Sequence, residues 1–220
     1  MSIFLDPVSQ SATHLPVLLA LSDVLLTRNI FELGSGLFST AAFSTYADRL
    51  ISIESDLQWF EAIKHAHADN SRIEIRYHEI PNGVAKKSLE EYDQGTINQV
   101  RSYYDGLRSG VSGFDLLFVD QYLAFRTISL ISLYDAFPIV VWHDAQSKKY
   151  RYDTFYQQNL SDYARYAFKF MKIETGFLIK KNMLFRESEL FDRIHYHCGV
   201  FTQQHCDLFQ FLPKTKLKRV

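Results

Sequence analysis

Apolar residues over 14–27 (HLPVLLALSDVLLT) recur on a helical period, with Pro16 where a first turn tolerates it and Asp23 and Thr27 left for the wet side. A short apolar run at 29–33 (NIFEL) then stops at glycine, as a buried parallel strand does. Small and apolar residues at 39–49 predict a second helix. Residues 50–54 (LISIE) predict a second strand, and 56–68 a third helix with Asp56 as its N-cap. Residues 72–78 (RIEIRYH) alternate as a third strand should. The first 80 residues therefore run helix, strand, helix, strand, helix, strand, which is the doubly wound α/β pattern.

Residues 82–113 are more polar and contain Gly83, Gly95, Gly106, Gly110 and Gly113, so a helix at 96–107 set between loops is expected. Two apolar runs, 114–120 (FDLLFVD) and 139–144 (IVVWHD), each end in an acid and read as central parallel strands, with a helix at 123–135 between them. Residues 168–174 and 177–184 are too close for a crossover helix and predict an antiparallel hairpin turning at Thr175-Gly176. After Arg186 the periodicity fades into an aromatic, histidine-rich segment. One domain is expected, with its core at about 14–185 and an extension at 186–220.

Composition narrows the function classes. With 47% hydrophobic residues in 220, the chain can bury one substantial core, and most of its 13 Tyr and 18 Phe are expected there. A net charge of −1 gives no global field for a polyanion or an anionic membrane, so neither nucleic acid nor membrane is an expected partner. The basic run Lys214, Lys216, Lys218 and Arg219 reads as a solvated tail. Two cysteines, no apolar leader and no apolar stretch of bilayer length point to a reducing, cytoplasmic setting.

The chemistry concentrates in Glu32-Leu33-Gly34-Ser35-Gly36. A strand that ends in Glu-x-Gly-x-Gly and passes directly into a helix brings backbone N–H groups close to a ligand, because glycine has no Cβ to block the approach. Twenty residues after Gly34, Glu54 ends the next strand, where a carboxylate can accept from both hydroxyls of a ribose. A pyrophosphate-binding version of the turn needs a third glycine, and that position is Ser39. Ser39, Glu32 and the helix ahead of the first strand favour a nucleotide-like cofactor without pyrophosphate.

With these residues the chain resembles the class I S-adenosylmethionine-dependent methyltransferases. The likeness lies in Phe31-Glu32-Leu33-Gly34-Ser35-Gly36, the acid Glu54, the run 114–120 and Trp142-His143-Asp144-Ala145 followed by a strand hairpin. It implies a Rossmann-like sheet of seven strands, mostly parallel with an antiparallel C-terminal strand. It also implies residue roles: Glu32, Gly34, Ser35 and Gly36 for the methionine part of S-adenosylmethionine, Glu54 and Ser55 for the ribose, and His78 and Glu79 for the adenine. Asp120 would border both cofactor and acceptor, with His143 and Asp144 on the acceptor side.

Within that superfamily the pattern is similar to small bacterial O-methyltransferases, which implies methyl transfer to a small hydroxylated acceptor. In those relatives acids at the positions of Asp120 and Asp144 help hold Mg²⁺. Here His143 precedes Asp144 and Ala145 follows it, so the third oxygen ligand is missing. A metal-free site with His143 as general base ranks ahead of a Mg²⁺ site. The rivals are a nicotinamide-dependent oxidoreductase, which Ser39 argues against, and a non-catalytic S-adenosylmethionine-binding or scaffold protein.

Other residues take blander readings. Trp59 and Phe60 are expected in the core, and Arg126 is expected to pair with Asp120 or Asp144. The segment HYHCGVFTQQHC supplies His195, His197, Cys198, His205 and Cys206, but its spacing matches no standard zinc finger or knuckle, so packing and exposure are expected. His195 and His197 would share one face if the segment were a strand.

Overall fold

The computed structural model describes residues 12–79, 89–121, 125–170, 172–203 and 216–219. Helix α1 (Leu15–Leu25) precedes β1 (Asn29–Leu33), α2 (Ser39–Tyr46), β2 (Arg49–Glu54), α3 (Leu57–Ala66) and β3 (Ile73–Tyr77). Then come α4 (Gln94–Leu107), β4 (Leu116–Val119), α5 (Phe125–Leu133), β5 (Ile139–Trp142) and the single turn α6 (Tyr152–Tyr156). Strands β6 (Tyr163–Phe170) and β7 (Ile173–Lys180), helix α7 (Glu187–Gln203) and β8 (Lys216–Arg219) complete the order.

The strands form one sheet in the order β3-β2-β1-β4-β5-β7-β6-β8. The first five in that order are parallel, and β7 is antiparallel to both β5 and β6. This is the expected seven-stranded sheet, extended by one strand. The extra strand falls in the basic run read as a solvated tail: its backbone pairs with β6 across Phe168↔Leu217 and Ala167↔Lys218.

Alternation along the strands divides the interior in two. Ile30, Leu50, Leu116, Phe118, Ile139 and Val141 face α1, α2 and α7 on one side. Phe31, Leu33, Leu117, Val119, Val140 and Trp142 face α4, α5 and α6 on the other. The central strands are thus apolar on both faces, which is why they read as continuous hydrophobic runs.

Two sequence expectations need correction. The hairpin turns between Phe170 and Ile173, and Thr175-Gly176 lies inside β7. Gly176 pairs with Trp142, whose indole occupies the space a Cβ would need, 2.2 Å from the ideal Cβ position. That glycine makes room for a ring and does not mark a turn. The histidine-rich segment after Arg186 is helical: Leu190, Ile194, Cys198 and Phe201, at helical spacing, pack into the first core.

Candidate functional site

Register decides which side chains meet. Leu33 of β1 is level with Ile53 of β2 and Val119 of β4, and Val119 is level with Trp142 of β5. The next residue on each strand is Gly34, Glu54, Asp120 and His143, so these four stand in one row at the carboxyl ends of parallel strands. The Gly34 amide donates to Ile53 O at 2.8 Å and the Asp120 amide to Leu33 O at 2.8 Å, which extends the ladder into the row. A cleft of about 800 Å³ opens above it, lined by Gly34, Ser35, Glu54, Asp56, Gln58, Trp59, Asp120, Gln121, Arg126 and Lys149.

Gly34 turns the chain with φ +92°, and a Cβ there would lie 2.4 Å from the Gln121 amide nitrogen. Only glycine allows the β1 turn to lie against the end of β4. Beneath the turn, Glu32 is fully buried. Its Oε2 accepts from Thr40 Oγ1 and from Ser52 Oγ, both at 2.6 Å. Thr40 in turn accepts from the Gly36 amide at 2.8 Å. Ser52 has its one hydrogen committed to Glu32, so Ser35 is the donor in the 2.7 Å contact between the two serines. The acid therefore fixes both sides of the glycine turn through hydroxyl relays.

Burial lifts the Glu32 carboxyl to about 7, against the opposing hydrogen bonds from Ser39, Ser52 and Thr40. An acid whose pKa rises on folding contributes most to stability at low pH. That contribution is lost as pH climbs from its ordinary value of 4.5 through about 7. Between pH 5 and 8 the wild type is expected to lose about 2–3 kcal/mol through this group, at ~1.4 kcal/mol per unit. Urea unfolding at both pH values checks it: Glu32→Gln should flatten that slope, and an unchanged slope would contradict it.

Glu54 lines the cleft. Its Oε1 accepts from the Ser55 amide at 2.6 Å and the Asp56 amide at 2.8 Å, which holds the carboxylate at the strand end. Burial raises its pKa, opposed by those amide hydrogen bonds. Asp56 caps α3 by accepting from the Trp59 amide at 2.9 Å, as its position predicted. Trp59 is not core: its Nε1 donates to Ser35 O at 2.6 Å and its ring borders the cleft. Phe60, one residue on, is buried as expected.

His78 lies beyond β3, with its amide donating to Glu54 O at 2.8 Å. Its ring stacks on Tyr103 of α4 at 3.3 Å between centroids and 3° between planes, and burial lowers its pKa. Glu79 is exposed, and neither residue lines the cleft in this arrangement.

Arg126 of α5 is the hub of the opposite wall. Its Nη2 is 2.6 Å from Asp120 Oδ1, its Nη1 3.2 Å from Asp144 Oδ2, and its Nε donates to Gln121 O at 2.6 Å. The guanidinium also lies over the Tyr150 ring at 4.5 Å. Asp144 adopts φ +58°, which turns its carboxylate back toward this cation. Burial alone would raise the Asp120 pKa, but Arg126 and His143 hold it well below the usual carboxylate range. The cation implied between Asp120 and Asp144 by resemblance does not fit, because a guanidinium already stands there.

His143 departs from its expected role. It is 4% exposed, its Nε2 is 2.9 Å from Thr13 Oγ1, and its Nδ1 is 3.3 Å from Asp120 Oδ1. Burial opposes its charge and Asp120 outweighs that, raising its pKa. With both ring nitrogens engaged and the ring buried, His143 offers no free base to the cleft. It orients Asp120 instead. Beside it lies His14, whose ring meets Phe118 and His143, each at 4.8 Å between centroids.

Sequence reasoning missed Gln121, Lys149 and His14. Gln121 accepts from the Tyr104 hydroxyl at 2.7 Å and donates to Ser129 Oγ at 2.8 Å, joining α4 and α5 at the cleft floor. Its place directly after Asp120 was the available signal. The cysteine–histidine segment makes no such gathering among the described residues. His197 Nε2 lies 2.8 Å from Asp23 Oδ2, His195 sits near the Phe168 ring, and Cys198 is buried in the core. His205 and Cys206 lie outside the described residues.

No protein-family model and no curated protein matches this chain. Solved structures do. The chain is similar to the N-methyltransferase NodS from Bradyrhizobium japonicum WM9, with 12% identity, TM-score 0.51, and coverage of 80% of this chain and 97% of that one. It is also similar to a methyltransferase-like protein from Silicibacter pomeroyi DSS-3, with 16% identity, TM-score 0.51, and coverage of 86% and 94%. The chain has the Rossmann-like fold of these methyltransferases.

Proposed function

We propose that this chain is an S-adenosylmethionine-dependent methyltransferase that methylates a hydroxyl of a small acceptor. The observation that carries the reading is the row of Gly34, Glu54 and Asp120 beneath one cleft, at the strand ends where open α/β sheets bind ligands. The cleft volume lies within the range of cofactor sites, and Gly34 lets the β1 turn lie directly against the end of β4 beneath it. These features fit the cofactor.

Gly34, Ser35 and Gly36 would hold its methionine end over the relay anchored on Glu32. Glu54, fixed by two backbone amides, would accept from the ribose hydroxyls, and the Trp59 ring would cover one side. When bound, the cofactor supplies a methyl group already activated on sulfonium. The chain's part is then alignment and exclusion of water. Asp120, held by Arg126 and His143, gives a fixed negative wall beside the cofactor, while Lys149 and Gln121 face the same space. No nucleic-acid or membrane partner enters this reading.

Calorimetric titration with S-adenosylhomocysteine and, separately, NADH tests it. Saturable binding of the thioether is expected, with Glu54→Gln weakening it about 10- to 100-fold, the worth of a hydrogen bond to a charged acceptor. NADH binding with no response to the thioether would refute it.

A further inference from the structure

His14 is the least explained polar group among the described residues. It sits at the start of α1, 1% exposed, and neither ring nitrogen has a hydrogen-bond partner there. Burying an imidazole without partners is unfavourable unless something else meets its lone pair. Its Nδ1 lies 4.0 Å from Asp120 Oδ2, the oxygen turned away from the short Arg126 contact. His143 completes a group whose ligand-capable atoms all lie within 4.8 Å of one another.

We propose that His14, Asp120 and His143 form a binding site for a borderline first-row divalent cation of the zinc type, tying the start of α1 to the ends of β4 and β5. Two imidazoles and one carboxylate are a donor set for zinc or cobalt, whereas a hard cation such as Mg²⁺ prefers all-oxygen surroundings. Zinc bonds of about 2.0–2.2 Å in tetrahedral geometry put donors about 3.4 Å apart, so the three draw together by up to about 1.4 Å from a spacing within 4.8 Å. The outer contacts are already in place. The ion would displace the Nδ1 proton that His143 directs at Asp120; with the remaining proton on Nε2, His143 donates to Thr13 Oγ1 and presents the Nδ1 lone pair to the ion, while Arg126 keeps Asp120 Oδ1. Partial exposure of the Asp120 side chain, 18%, gives the ion a route from the cleft. His14 faces Asp120 Oδ2 and His143 Nδ1 stands 3.3 Å from Oδ1, so an ion bound by Oδ2 would sit between the two imidazoles and leave Oδ1 to the guanidinium.

The inference does not depend on methyl transfer, and its test uses metal alone. The full-length chain, stripped with chelator and dialysed, is titrated with Co²⁺ and followed by visible absorption, then back-titrated with Zn²⁺. The expected result is one equivalent of Co²⁺ with the visible bands of a low-coordinate nitrogen–oxygen site, displaced by Zn²⁺ and indifferent to Mg²⁺. His14→Ala should weaken binding by more than about 100-fold, and Thr13→Val, which leaves all three ligands, by about 10- to 100-fold. His197→Ala on α7 should change nothing. Absence of a saturable one-equivalent signal overturns the proposal. So does Co²⁺ binding of unchanged affinity in a folded His14→Ala or Thr13→Val protein, or a signal lost with His197→Ala.

Discussion

Gly34→Ala is expected to lose S-adenosylhomocysteine binding at concentrations that saturate the wild type, and to lower stability by about 2–5 kcal/mol. The stability loss adds left-handed backbone strain to overpacking. The added methyl would stand 2.4 Å from the Gln121 amide nitrogen and 2.6 Å from the Asp120 carbonyl carbon, both backbone atoms that cannot swing aside. Relief requires β1 and β4 to separate at their carboxyl ends, which is where the cleft floor forms. Gly36→Ala is the contrast. Its Cβ would be crowded by Ser39 Oγ at 3.0 Å, a hydroxyl that can rotate, while the Phe38 and Ser39 amide nitrogens at 3.8 and 3.9 Å are ordinary contacts. Urea unfolding and calorimetry on both variants should separate them, and equal behaviour would remove the special role assigned to Gly34.

Arg126→Ala should cost about 3–5 kcal/mol at neutral pH, the usual consequence of leaving a buried charge without its partner. Asp120 and Asp144 would both face the vacated space, and Gln121 O would lose its donor. The pH dependence gives a second readout. A carboxyl whose pKa is depressed on folding stabilises the protein above its ordinary pKa, and loses that contribution as pH falls through and below the usual aspartate range. The gap between wild type and variant should therefore be widest near neutrality and narrow on acidification. Arg126→Lys should recover only part of it, because an ammonium cannot reach both carboxylates and Gln121 O with one planar group. A gap independent of pH would mean that the loss is one of packing alone.

The glycine turn was legible because it is local. Gly34, Gly36 and the acid two residues before them lie within five positions, and a strand-to-helix turn with close backbone approach leaves that trace in any context. Glu54 could be placed because parallel strands of one doubly wound unit keep nearly equal lengths, so the end of the second falls beside the end of the first. The capping role of Asp56 followed from its own backbone position.

Long-range geometry left no comparable trace. His143 next to an acid at a strand end has the local signature of a base, yet Thr13, 130 residues away, takes its outer nitrogen and closes it off. Trp59 reads as an apolar helix residue, and only the Ser35 carbonyl beside it draws the indole to the cleft. Gly176 imitates a hairpin turn because the need for a small residue is visible, while Trp142, the reason for it, lies on another strand.

The sequence by itself determined the alternation of strands and helices, the glycine turn after the first strand and the acids that end the strands. Each depends on hydrophobic period or on backbone chemistry within a few residues. Only the tertiary structure decided what those acids do. Strand order sets β4 between β1 and β5 and brings Arg126 over the resulting gap, so one guanidinium pairs with Asp120 and Asp144 together. The same packing buries His143 and aims His14 at the far oxygen of Asp120, since charge pairing and burial depend on neighbours that no stretch of chain specifies alone.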